Sequence, residues 1–117
     1  MRGDIYFVEL SPRSGSEQRG RRPCVIVSTD AFNRARGWRS VTVIPLTTSP
    51  RWLEESHTTV VLQAGEANLP KRCAALAHQI TTIDRTKLDN RKVGSLSAGK
   101  LKLVETAILN YLAIGIR

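Results

Sequence analysis

The sequence predicts a mainly β chain of the α+β class: a small, strongly bent sheet or half-barrel with short helices and one C-terminal helix packed on it. Short runs rich in Val, Ile, Thr and aromatic residues recur, each closed by a polar loop holding Pro or Gly. Near the C-terminus the apolar residues change to a spacing of three and four, which marks one face of a helix. The chain has 117 residues, a length that favours a single domain over 1–117 with a core of its own.

The elements follow in order. Ile5 to Leu10 is β-branched and aromatic, and Ser11 to Arg21 breaks it with Pro12, Gly15 and Gly20 as a long loop does. Pro23 to Ser28 is a compact apolar run suited to a buried strand. Asp30 to Arg36 can form a helical turn or two, capped from within Ser28 to Asp30. Val41 to Leu46 is again a strand, but Pro45 has no N–H for the ladder, so pairing bulges or fails there. After a polar stretch from Thr47 to Ser56, Thr58 to Leu62 is another strand. Cys73 to Ile83 stays open between helix, which its alanines favour, and strand, which Ile80-Thr81-Thr82-Ile83 favours. Asp84 to Leu88 reads as a short capped turn. Ser97 can cap a last helix whose apolar stripe is Leu101, Val104, Ile108 and Leu112.

Charge narrows the function. The formal net charge is +8, from 18 basic and 10 acidic residues. Between Arg13 and Arg51 stand eight arginines, no lysine, and only Glu17 and Asp30 as acids, so +6 of that excess lies in one third of the chain. Arginine's planar fork suits phosphate oxygens better than lysine's point charge does. Such a patch points to nucleic acid, with a merely solubilising surface as the plain alternative.

Other classes are disfavoured. Cys24 and Cys73 are too few for a disulfide framework and read as small core residues. With only His57 and His78 besides, a zinc site lacks ligands. Met1-Arg2-Gly3-Asp4 is charged where a signal peptide needs an apolar stretch, and no apolar run has the length of a membrane span. The expectation is a soluble, reduced, cytoplasmic protein.

Four segments carry a resemblance. They are Arg2-Gly3-Asp4-Ile5-Tyr6, the loop Gly15-Ser16-Glu17-Gln18-Arg19-Gly20-Arg21-Arg22-Pro23, Pro45-Leu46-Thr47, and Gln79-Ile80-Thr81-Thr82-Ile83-Asp84. In this order and spacing, with a Val-Gly pair at Val93 and the terminal helix, the chain resembles the MazF/PemK family of toxin–antitoxin endoribonucleases over nearly its whole length. Each motif alone is weak; four in order are specific. The resemblance implies an SH3-like barrel of the CcdB/PemK type, paired as a homodimer. It also implies a toxin of a type II system that cuts single-stranded RNA, mRNA included, at short sequences without metal or cofactor. The products would be a 2′,3′-cyclic phosphate and a 5′-hydroxyl, and a MazE-like antitoxin with an acidic segment would silence the enzyme.

By position, the family's active arginine falls on Arg22, its active threonine on Thr47 and its loop glutamate on Glu17. The RNA-binding set implied with them is Ser16, Gln18, Arg19, Arg21, Thr48, Arg51 and Gln79. Some relatives carry histidine where this chain has Arg21, which puts any histidine-based proton transfer in doubt here. The chemistry fits the residue types: RNA brings its own 2′-hydroxyl nucleophile, and the protein must accept that proton and stabilise charge gathering on phosphate oxygens. Arg22 suits charge stabilisation, Thr47 can hold a phosphate oxygen, and Glu17 can act as base or only orient its loop. Proton donation by arginine stays open, since its pKa exceeds about 12.

Plain readings stand beside these. Arg22 can be a surface residue ahead of a strand, and Thr47 can be an ordinary strand end. His78 is expected as a packed strand residue. Trp38 and Trp52 can stack on bases or cover a dimer interface. Arg36 and Arg39 can contact phosphates or solvate a loop. Two rival functions are a non-cutting toxin that poisons a protein such as a topoisomerase, and a non-catalytic RNA-binding module.

Overall fold

The computed structural model describes residues 1–10, 15 and 20–115. Strand β1 (Asp4–Glu9) pairs antiparallel with β2 (Arg21–Ile26), setting Ile5 opposite Val25 and Val8 opposite Arg22. A single turn of helix, α1 (Asp30–Asn33), leads to β3 (Ser40–Thr47). Then come β4 (Thr59–Leu62), β5 (Cys73–Leu76), β6 (Thr81–Asp84), β7 (Leu88–Ser95) and the helix α2 (Ala98–Leu112). The sheet runs β4-β5-β3-β2-β1-β7, with β6 also on β3. The fold is mainly β with a C-terminal helix, a barrel-like sheet left open between β4 and β7.

β3 is the hinge of the sheet. One side of it pairs with β2, the last partners being Cys24 and Pro45. Its other side takes β6 along Ser40–Val43 and then β5 at Leu46 and Thr47. Pairing with β2 thus stops at the residue that has no N–H to donate, in agreement with the sequence reading. Alternation along the strands splits the core in two. Ile5, Val25, Ile44, Leu46 and Leu62 pack with Val104 and Ala107 of α2, while Val8, Cys24, Ile26, Val41, Val43 and Ile83 pack on the other face.

Several expectations are corrected. Cys73 to Ile83 forms two strands around a 3-10 turn at Ala77–Gln79, the alanines serving as small residues in a strand buried on both faces. Helix α1 ends at Asn33, three residues before Arg36, and its N-cap Thr29 makes no side-chain cap bond. Strand β7 had no sequence signal, because Leu-Asp-Asn-Arg-Lys is a charged, mostly exposed edge. Ser97 does cap α2, accepting from the Lys100 N–H at 3.2 Å. Of the expected stripe Val104 is buried, Leu101 and Ile108 are half-buried, and Leu112 is 48% exposed.

One glycine is fixed by a close approach. A Cβ on Gly94, buried in β7, would stand 2.1 Å from the Ala67 carbonyl oxygen and 2.6 Å from its carbon. The Glu66–Asn68 turn is locked onto that strand by Asn68 Nδ2, which donates to the Val93 carbonyl at 3.1 Å. Backbone stands on both sides, so Gly94→Ala is expected to cost about 1–3 kcal/mol or more through overpacking. A fall in the urea midpoint at unchanged m-value checks this; an unchanged midpoint would show that the turn moves freely.

Candidate active site

Where β2 and β3 part beyond Pro45, the surface opens into a cleft of about 480 Å³ lined by Arg22, Thr47, Thr48, Ser49, Arg51, Trp52, His78 and Gln79. Register explains the pairing at its heart. Cys24 faces Pro45, and two steps along each antiparallel strand bring Arg22 across from Thr47. Both side chains then leave the sheet on the same side. Thr47 is only 4% exposed and is held by β5, where it faces Ala74. Its Oγ1 accepts the Ser49 N–H at 3.2 Å, which leaves the hydroxyl hydrogen for a ligand.

Two 3-10 turns complete the walls. Pro50–Trp52 begins with a proline whose fixed φ suits the first turn position. It carries the Arg51 guanidinium over the Trp52 ring, 5.0 Å from the centroid. Ala77–Gln79 presents His78 and Gln79 directly after β5. The His78 ring lies 4.9 Å from that of Trp52 and meets the edge of Tyr111, on α2, at 6.3 Å. Burial holds the His78 pKa below the ordinary 6.5, so the imidazole is neutral at pH 7. None of the eight lining residues is acidic, whereas two are arginines. The cleft is therefore shaped and charged for an anion flanked by flat, apolar groups.

The sequence-derived candidates fall in three places. Arg22, Thr47, Thr48, Arg51 and Gln79 converge on the cleft. Arg21, the next residue along β2, points to the opposite face: its guanidinium pairs with Asp89 and lies over the Phe7 ring at 4.3 Å. There it lines a neighbouring groove of about 390 Å³ with Pro23, Leu69 and Lys71. Ser16, Glu17, Gln18 and Arg19 lie outside the described residues. Sequence reasoning missed Ser49 and placed His78 on a strand. The useful signal was the neighbour of His78, the motif glutamine Gln79, since consecutive residues of a tight turn can face one pocket.

The chain matches the family model described as PemK-like, MazF-like toxin of type II toxin–antitoxin system over residues 1–112. It is 35% identical over 107 residues to the endoribonuclease MazF of Staphylococcus saprophyticus, covering 92% of this chain and 86% of that protein. To the endoribonuclease MazF9 of Mycobacterium tuberculosis it is 34% identical over 114 residues, covering 95% and 94%. Among solved structures, a mycobacterial endoribonuclease in complex with its cognate antitoxin superposes with a TM-score of 0.77 at 23% identity, covering 100% of this chain and 98% of that one. MazF from Deinococcus radiodurans gives 0.75 at 23% identity, covering 97% and 96%. At these identities the structural likeness speaks for the fold.

Proposed function

Because the chain belongs to the PemK-like, MazF-like toxins of type II toxin–antitoxin systems, we propose that the cleft between β2 and β3 is where it cuts single-stranded RNA. The protein is an endoribonuclease of that family. The observation that carries the site is the meeting of Arg22 and Thr47, 25 positions apart in sequence, in one cleft with a neutral histidine and no acidic residue among the described residues that line it.

In this reading the 2′-oxygen forms a bond to phosphorus while the bond from phosphorus to the 5′-oxygen breaks. The upstream product ends in a 2′,3′-cyclic phosphate and the downstream one in a 5′-hydroxyl. Arg22 presents its fork to the non-bridging oxygens as their charge grows, and the Thr47 hydroxyl donates to one of them. His78 takes the proton of the 2′-hydroxyl, the departing 5′-oxygen takes one from water, and the hydroxide so formed is neutralised by the proton that the His78 imidazolium gives up. Glu17 is the competing proton acceptor. Trp52 and Arg51 frame the flanking base and phosphate. Action in the cytoplasm, pairing of two copies, and silencing by a MazE-like antitoxin whose acidic segment plugs the cleft belong to the same reading. A toxin that only poisons a protein leaves this cleft without a purpose.

The test is cleavage of a long synthetic RNA in excess chelator, followed over pH. Cutting persists and the upstream ends are cyclic phosphates. Among the described residues, the charged and titratable groups that share the cleft with His78 or touch its ring are Arg22 of β2, Arg51 of the Pro50–Trp52 turn and Tyr111 of α2. The base form of His78 fills as pH rises, so kcat/KM climbs to a plateau with a midpoint below 6.5. In His78→Asn that limb disappears. A limb near pH 4.3 that survives the substitution assigns the proton to a carboxylate such as Glu17; intact RNA refutes the function.

A further inference from the structure

At the far end of β3 from the cleft lies a surface that the reaction leaves unused. Helix α1 and its link to β3 hold Phe32, Arg34, Arg36, Trp38 and Arg39, all exposed. Phe32 is 50% and Trp38 45% exposed, and their rings pack on each other with centroids 4.8 Å apart. Paired large aromatic rings left half in water are a recognised mark of an interaction site.

The loop is anchored at several points. Asn33 Nδ2 donates to the Ser28 carbonyl at 2.8 Å, and the Trp38 N–H donates to the Ala35 carbonyl at 3.2 Å. Beneath it, Arg85 Nε donates to the Trp38 carbonyl at 3.1 Å and the Arg85 N–H to the Arg39 carbonyl at 2.7 Å. Arg39 pairs with Asp84 at 3.0 Å, and Asp84 also accepts from the Thr86 hydroxyl and N–H. Arg34 and Arg36 make no ion pair among the described residues. The Arg85 Nη2 is buried and meets no acceptor among the described residues. That buried atom is out of reach of an incoming ligand, so the exposed Arg34 and Arg36 are the cations a phosphate would meet.

We propose that Phe32 and Trp38, with Arg34 and Arg36 beside them, form a second RNA-holding site that grips single-stranded substrate outside the cleavage cleft. Aromatic faces interleaved with guanidinium groups are what single-strand binding uses: bases stack, phosphates pair, and sequence matters little. The inference rests on the RNA-cutting reading above, since a polymer cut in the cleft must continue across the surface. The distance is suitable. β3 has eight residues, so at roughly 3.4 Å per residue Ser40, where the loop joins the strand, lies no more than about 24 Å from Thr47. That is a stretch of the order tracked by small-barrel RNA binders.

The test compares Arg34→Ala/Arg36→Ala, with and without Trp38→Ala, against wild type on two substrates. One is a long single-stranded RNA, and the other is the shortest oligonucleotide around one of its mapped cuts that wild type still cleaves. The expected result is a KM for the long RNA raised about tenfold at unchanged kcat, with the short substrate unaffected. The salt slope of binding should fall by about 0.7 for each phosphate no longer neutralised, and Arg34→Lys/Arg36→Lys should restore it. An unchanged KM and slope on the long RNA would overturn the proposal. So would variants that bind labelled poly(U) normally but lose affinity for a polyglutamate peptide, which assigns the surface to an acidic protein. If wild type cuts no RNA, the cleft reading fails separately, and poly(U) anisotropy alone decides the loop.

Discussion

Replacing the ribose at the cut position by 2′-deoxyribose is expected to stop cleavage, by a factor of at least about 10⁵. That is the order by which a well-placed intramolecular nucleophile exceeds an external one. Among the described residues the cleft offers hydroxyls but no thiol as alternative nucleophiles, and none of the lining residues is a carboxylate that could activate one. The Thr47 oxygen accepts the Ser49 N–H, which draws electron density from it and suits it to donate rather than attack. Cys24 and Cys73 are both buried. Burial first, and then the charge of Glu66, pushes the Cys73 thiol up to about 11, so it is not a thiolate near neutrality. Gel analysis of paired oligonucleotides differing by that one hydroxyl measures the effect. Scission of the deoxy substrate within tenfold of the ribose one would mean that water or a side chain attacks, and the assignment of Arg22 and Thr47 to an internal transfer would fall.

The sequence disclosed the strands rich in β-branched residues and hid those poor in them. Ile5 to Leu10 and Pro23 to Ser28 alternate or cluster strongly, and both are strands, although the second runs from Arg21 to Ile26, starting and ending two residues earlier than expected. β5 is Cys-Ala-Ala-Leu with all four residues buried, so neither period two nor period 3.6 is printed on it. β7 is held by β1 and by the close pass of Ala67 over Gly94, interactions that a charged edge sequence does not announce. The order of motifs named Arg22 and Thr47, but their meeting depends on the β2–β3 register, which is a property of the pairing and not of either segment. His78 shows the same limit. Its role depends on the 3-10 turn that sets it against Trp52 and Tyr111, and isolated histidines are more often packed than functional. The stripe on α2 failed at Leu112 because that is the last helical residue, directly before Ala113 turns left-handed at φ 56°.

Arg22→Ala is expected to lower kcat by about 10²–10³ with little change in KM, the effect of removing one preorganised donor to a developing oxyanion. The physical ground is that charge on the non-bridging oxygens grows between ground and transition state, so the guanidinium binds the second more tightly than the first. Arg22→Lys should recover only a small part of this, since a point charge on a flexible stem does not reproduce two parallel N–H donors. Stability should stay within about 0.5 kcal/mol of wild type, because Arg22 is half-buried at the second position of β2 and its ladder partner Val8 is held through the backbone. Arg51→Ala is the internal comparison. Arg51 is exposed and its guanidinium lies over the Trp52 ring, so its loss should weaken binding and flatten the salt dependence while kcat holds. Steady-state kinetics on one mapped cut, with urea unfolding on the same preparations, separates these outcomes. A folded Arg22→Ala protein that keeps more than a tenth of wild-type kcat would show that phosphate charge is met elsewhere, and the cleft would then serve binding without the chemistry.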